Sequence, residues 1–163
     1  MQFKRLISLV ALSFGLLGAA HAYDPKATIA DLDAKLAKIG APKIEGTGTV
    51  GDQTVPVLQF GERKINNNYD VVDTIRKEHS ATATVFVKSG DEFVRVSTNV
   101  LTPEGKRGVG TKLARNPAYE ALSKGASYCG PIDVLGTAYD ACYNPIKGAD
   151  GKIIGATYIG HKK

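Results

Sequence analysis

The sequence predicts an α+β domain, an antiparallel sheet with helices gathered on one side. Helical and strand-like periodicities come in blocks, in the order helix, hairpin, helix, hairpin, loop, helix, hairpin, strand. The strand pairs are joined by tight-turn sequences, which makes sequence neighbours antiparallel. No repeat, low-complexity tract or linker interrupts the blocks, so one compact domain is expected.

Between Thr28 and Ile39, residues Ile29, Leu32, Leu36 and Ile39 recur at helical spacing, and Gly40-Ala41-Pro42 stops the run. This stripe either covers the protein's own sheet or forms a dimer seam. Lys43 to Lys64 alternates and carries Thr, Val and Phe; Gly51-Asp52 splits it into a hairpin. "NNNYDVVDTIRKEHS" gives a short helix with Val71, Val72 and Ile75 on its apolar side and Asn68 or Asp70 as its cap. "ATATVFV" and "EFVRVSTNV" are strands joined by "KSGD". After a glycine-rich loop, "NPAYEALSKG" is a helix with Pro117 near its first position and Gly125 past its end. "GADGKIIGATYIG" supplies a turn and the last strand.

The remaining hairpin, "SYCGPIDVLGTAYDACY", carries both cysteines. A turn at Leu135-Gly136 sets Val134 opposite Thr137 and, counting outward, Cys129 opposite Cys142 as a non-hydrogen-bonded pair. A structural disulfide is the expectation for an exported chain, with two free thiols as the alternative. A metal site lacks ligands, because no His lies near.

Export is read from the first residues. Lys4 and Arg5 precede an uncharged apolar run from Leu6 to Ala20, which ends in Ala20-His21-Ala22. That is a secretory signal with cleavage after Ala22, and the run is too short for a comfortable membrane span. Cleavage leaves residues 23–163, divided into an amino-terminal helix (23–42) and the domain proper (43–163). It removes two basic residues and no acidic ones, taking the formal charge from +5 to +3. With no Lys/Arg block, nucleic acid is not an expected partner, and no second apolar run spans a membrane.

Motifs for chemistry are sparse. "GTGTVG" matches G-x-G-x-x-G, but a strand containing Pro56 follows instead of a helix. In "GKRGVGTK", Arg107 stands where a phosphate loop needs Ser or Thr. His79, at a helix end, reads as a surface cation, and His161 lies in the basic tail. No nucleophile–base pair is visible, and no enzyme or cofactor is expected. A binding hollow is easier to build. Arg95, Thr98, Asn99, Arg107, Lys112, Tyr119, Tyr128, Tyr139, Tyr143 and Tyr158 offer rings that exclude water and donors that suit a small polar or anionic ligand. The alternative is that strand tyrosines pack on one another and the loop is a plain surface connection.

"VPVLQFGERKINNNYDVVDTI", "TATVFVKSGDEFVRVSTNV", "GKRGVGTKL", "SYCGPIDVLGTAYDACYNPI" and "DGKIIGATYIG" together resemble the Cache superfamily, more narrowly the Cache 3/Cache 2 fusion type. The resemblance runs from about Ile44 to Gly160. It implies a PAS-like antiparallel sheet flanked by helices, used outside the cytoplasmic membrane in chemoreceptors, kinases or cyclases to sense amino acids and small carboxylates. Carried over by position, Thr98, Asn99, Arg107 and Tyr139 are the candidate pocket residues. No membrane helix or signalling module follows the domain, so a free-standing exported sensor is expected. The leading expectation is a non-enzymatic periplasmic or secreted protein that binds a small carboxylate or amino acid. The second is a module with a vestigial pocket that docks on a membrane-bound sensor or on itself.

Overall fold

The computed structural model describes residues 23–163; the expected signal segment, residues 1–22, lies outside them. The described residues form α1 (Pro25–Ile39), β1 (Pro42–Val50), β2 (Gln53–Phe60), β3 (Arg63–Lys64), α2 (Asp70–His79), β4 (Thr82–Ser89), β5 (Glu92–Thr98), α3 (Pro117–Ser123), β6 (Tyr128–Val134), β7 (Thr137–Lys147) and β8 (Ile153–Lys162). Two antiparallel sheets result, one ordered β1-β2-β3 and one ordered β5-β4-β8-β7-β6. The class is α+β, as the block order predicts.

Strand alternation gives the larger sheet two buried faces. On one, Ala83, Val85 and Val87 of β4 join Cys142 and Ile159 with Ile29, Leu32 and Leu36 of α1, Val72 and Ile75 of α2, and Val55 and Leu58 of β2. On the other, Phe86, Phe93, Tyr139, Tyr143 and Tyr158 pack with Leu113 and with Ala118 and Leu122 of α3. The two longer helices therefore share a face, while α3 covers the opposite one. The apolar stripe of α1 is spent on the chain's own sheet, with Ile29, Leu32 and Leu36 at 4, 0 and 1% exposure. It is not left open as a dimer seam.

The helix ends follow from local chemistry. Asp24 caps α1, accepting from the Lys26 and Ala27 amides at 2.9 and 3.1 Å, and Pro25 takes the first position. The helix thus starts before the periodicity at Thr28 reveals it. It stops at Gly40, whose φ is 148° and where a Cβ would lie 2.5 Å from Gly61 Cα, so only glycine lets the two turns cross. In α2, Asp70 is the first helical residue, not the cap, and its amide donates to Asn68 Oδ1 at 3.1 Å.

One irregularity positions the later site. Val85 pairs with Ser97 but Phe86 pairs with Arg95, so Val96 is an extra residue in β5. Val96 joins the α1 and α2 core, and the Ser97 hydroxyl donates to the Asn68 carbonyl ahead of α2. Thr98 then meets Thr84 across the strands, hydroxyl to hydroxyl at 2.6 Å.

The cysteine hairpin has the register the sequence predicts: Val134 faces Thr137, Cys129 faces Cys142, and the bridge closes over a Cα–Cα distance of 4.1 Å. Cys129→Ala/Cys142→Ala should lower unfolding free energy by about 3 kcal/mol, read as a lower urea midpoint than that of the oxidised protein. An unchanged midpoint would mean that the hairpin register alone holds this edge.

Candidate ligand-binding site

The segment from Val100 to Leu113 is fastened to the sheet rather than hung over it. Arg95 N donates to Thr111 O at 2.9 Å and Gly110 N to Arg95 O at 2.9 Å, while Leu101 bridges Arg107 across the loop. At Gly110 (φ 81°) a Cβ would sit 2.8 Å from the Val50 carbonyl oxygen, so the loop passes tightly over the β1–β2 turn. Arg107 is the strap. Its two terminal nitrogens each donate to Asp73 of α2 at 2.8 Å, one also to Thr98 O at 2.9 Å, and its guanidinium lies 4.5 Å over the Tyr69 ring.

Asn99 and Thr98 finish β5. Asn99 Oδ1 accepts from Ala83 N at 2.8 Å and its Nδ2 donates to Val72 O at 2.6 Å, binding β4 to α2. Thr98 is fully buried and also accepts from Val100 N at 3.1 Å.

A cleft of about 400 Å³ opens at this end of the sheet, lined by Arg76, Ser80, Ala81, Thr82, Asn99, Leu101, Thr102, Thr137, Tyr139, Gly160 and Lys162. Two of the four sequence-predicted pocket residues, Asn99 and Tyr139, meet there. Thr98 and Arg107 stand behind it, holding the strand end and the loop. The sequence reading missed the cations: Arg76 sits in the last turn of α2 and Lys162 in the basic tail, where neither has a distinguishing signal. No acidic side chain lines the cleft, and neither cation has an ion-pair partner among the described residues. Burial pushes the Tyr139 phenol up, with the Arg76 charge acting in the other direction, so at neutral pH Tyr139 stays a hydroxyl donor beside a cation.

Beyond the cleft, polar groups run inward along the α3 face. The Tyr158 hydroxyl bonds Thr82 Oγ1 at 3.0 Å, and its ring lies 4.9 Å from that of Tyr143. The Arg95 guanidinium lies 4.9 Å over Phe86, is 3% exposed, and has no carboxylate partner among the described residues. Its Nη1 donates to Thr111 Oγ1 at 3.1 Å and Lys112 O at 3.0 Å, whereas Arg95 Nε and the Tyr143 hydroxyl are buried without a partner among the described residues. Burial pulls the Arg95 pKa down and pushes those of Tyr143 and Tyr158 up. Lys112, Tyr119 and Tyr128 lie away from the cleft lining; the Tyr119 hydroxyl bonds Arg115 and the Asp91 carbonyl.

The histidines are engaged elsewhere. His79 Nε2 lies 2.8 Å from Asp31 Oδ2, and His161, in the basic tail, stacks on Tyr23 with centroids 4.1 Å apart.

Residues 32–163 match the family model of the Cache 3/Cache 2 fusion domain. The chain belongs to this family. No curated protein matches the sequence. Cache domains are extracytoplasmic sensory domains that bind small molecules, which agrees with a strapped loop and a cleft at a sheet end. No helix of the described residues is long and apolar enough to cross a membrane.

Two substitutions separate brace from strap. Asn99→Ala leaves the Ala83 N–H unpaired and takes from the Val72 C=O its side-chain donor, and should cost about 1–3 kcal/mol in urea unfolding. Arg107→Ala removes a half-exposed ion pair and should cost no more than about 1 kcal/mol. Hydrogen exchange should nonetheless speed up at amides of residues 101–110, with β4 and β8 unchanged.

Proposed function

We propose that this Cache domain is an exported, non-enzymatic sensor of a small anionic metabolite, a carboxylate or an amino acid, held in the cleft between α2 and the ends of β4, β5, β7 and β8. The observation that carries the reading is charge. Arg76 and Lys162 face a concavity that contains no acid, and the hydroxyls of Thr137 and Tyr139 lie beside them. A guanidinium binds a carboxylate through two parallel hydrogen bonds, and an ammonium adds a point charge for a second oxygen or carboxylate. Tyr139 walls the site, Asn99 fixes its floor, and Thr98 and Arg107 act as positioning residues. In this reading the signal segment is removed after Ala22, and residues 23–163 work as one unit with α1 as part of its core.

A second reading places the anion deeper, against Arg95 under the loop. It is favoured by the buried, uncompensated guanidinium and its unpartnered Nε. A buried charge without a counter-ion costs several kcal/mol, which a bound carboxylate would offset.

A thermal-shift screen of residues 23–163 against amino acids and mono- and dicarboxylates tests both. A ligand at a hundred times its Kd should stabilise the fold by about 2.7 kcal/mol. Arg76→Ala and Lys162→Ala should each abolish the shift if the anion sits in the cleft. Arg95→Met should abolish it while these two leave it intact if the anion sits under the loop. No shift with any anion would sink both readings and turn attention to docking on a membrane-bound partner.

A further inference from the structure

A second concavity, of about 450 Å³, lies on the α1 face of the large sheet, where α1 ends. Its walls are apolar: Leu36 and Ala37 of α1, Phe60 of β2, and Pro145 and Ile146 of β7. One acid stands in it. Asp33 accepts from Thr157 Oγ1 at 2.6 Å and from Asn144 Nδ2 at 2.6 Å, both neutral donors.

No cation answers this carboxylate among the described residues. Lys35, two residues on, turns to Asp31 at 3.1 Å and Glu78 at 2.8 Å. Lys147 contributes to the rim, but its ammonium lies against Gly125 at the end of α3. Burial pushes the Asp33 pKa up, while its two hydrogen bonds act in the other direction. Taking a carboxylate out of water without a counter-ion is costly, so the groove carries an unmet demand for positive charge. The C-terminal end of α1 reinforces it. Its last-turn carbonyls project a partial negative charge, and Ala37 and Gly40 line the groove.

We propose that this groove is a binding site for small organic ammonium ions: a primary amine pairs with Asp33, and its aliphatic or aromatic body lies along Leu36, Ala37, Phe60 and Ile146. The charge-assisted hydrogen bond fixes the head, and the apolar walls select against hydrophilic cations such as free metal ions. The site shares no lining residue with the anion cleft and has the opposite charge, so it stands or falls independently of the proposed sensor function.

Calorimetric titration of residues 23–163 with hexylamine near neutral pH is the test, with hexanol and hexanoate as controls. Hexylamine should bind saturably, hexanol at least about tenfold more weakly, and hexanoate not at all, since the charged pair is worth about 1.5 kcal/mol or more. Asp33→Asn should cost about tenfold in amine affinity, and Ala37→Phe, which fills the groove while keeping the carboxylate, should abolish binding. Arg76→Ala should leave it unchanged. Absence of saturable hexylamine binding, equal binding of hexanol, or wild-type affinity in Ala37→Phe would overturn the proposal. Because Ala37 is exposed on α1, that variant decides the matter even if Asp33→Asn fails to fold.

Discussion

The amide of Asn99 holds together the three parts on which the candidate site is built. Backbone bonding of the β5 end to β4 finishes with Asn99 N donating to Ala83 O at 3.1 Å, and the Ala83 N–H faces the point where the chain departs. Asn99 Oδ1 takes that donor, and its Nδ2 reaches the Val72 carbonyl in α2. One side chain thus completes the sheet, anchors a helix and fixes where the loop begins. The bulge at Val96 is what brings it there, because it turns the last residues of β5 by one position relative to β4. Every partner in this arrangement is buried, so removal of the amide strands the Ala83 N–H and frees α2 from the strand end at once.

Charge is distributed unevenly around this brace. Many acids and bases pair at the surface: Lys43 with Glu62, Arg115 with Glu92, Lys163 with Asp140. Such pairs carry little energy and little information. The informative charges are those left unpaired where water is scarce. Arg95 under the loop and Asp33 behind α1 lie on opposite faces of one sheet, because Phe86 beneath Arg95 and Thr157 beside Asp33 belong to opposite sides of the strand alternation. A five-stranded sheet covered on both faces can hold two sites of opposite sign without either neutralising the other.

Much of the fold was legible because its signals are local. A two-residue turn fixes hairpin register, and Leu135 and Gly136 take the positive φ values of 51° and 82° that such a turn requires. From there, counting outward places Cys129 against Cys142. The α1 stripe was equally plain, although its true start depended on a cap at Asp24 that lies outside the periodicity. The site was less legible, since its chemistry depends on distant pairs. Arg107, in an acid-poor loop, reads as a free anion receptor, and nothing in the sequence places it against Asp73, 34 residues away. Arg76 and Asp33 read as ordinary polar residues of amphipathic helices. Only the tertiary arrangement shows that one looks into a cleft lined by no acid and the other into a groove where no cation pairs with it among the described residues. The bulge at Val96 was invisible for the same reason, because alternation in β5 continues through it in the sequence.

A sensory domain needs an element that can change state, and the energetics single one out. The large sheet has no spare freedom: Val85, Val87, Phe86 and Ile159 are fully buried, and β4 is paired on both sides. The loop after Asn99 differs. Its middle is tied down by Arg107, in an ion pair open to water and therefore weak, while its far end, Gly110 to Leu113, is tied by backbone bonds to β5. Segments held this way open at a free energy well below that of global unfolding. An anion drawn to Arg76 and Lys162 would contact Leu101 and Thr102 at the root of this loop and Asn99 at the brace. Occupancy would then be felt by α2 through the Val72 carbonyl and by the loop through its first residues. With the anion bound as proposed, the loop, α2 and the sheet meet at one amide, the side chain of Asn99, through which occupancy would pass.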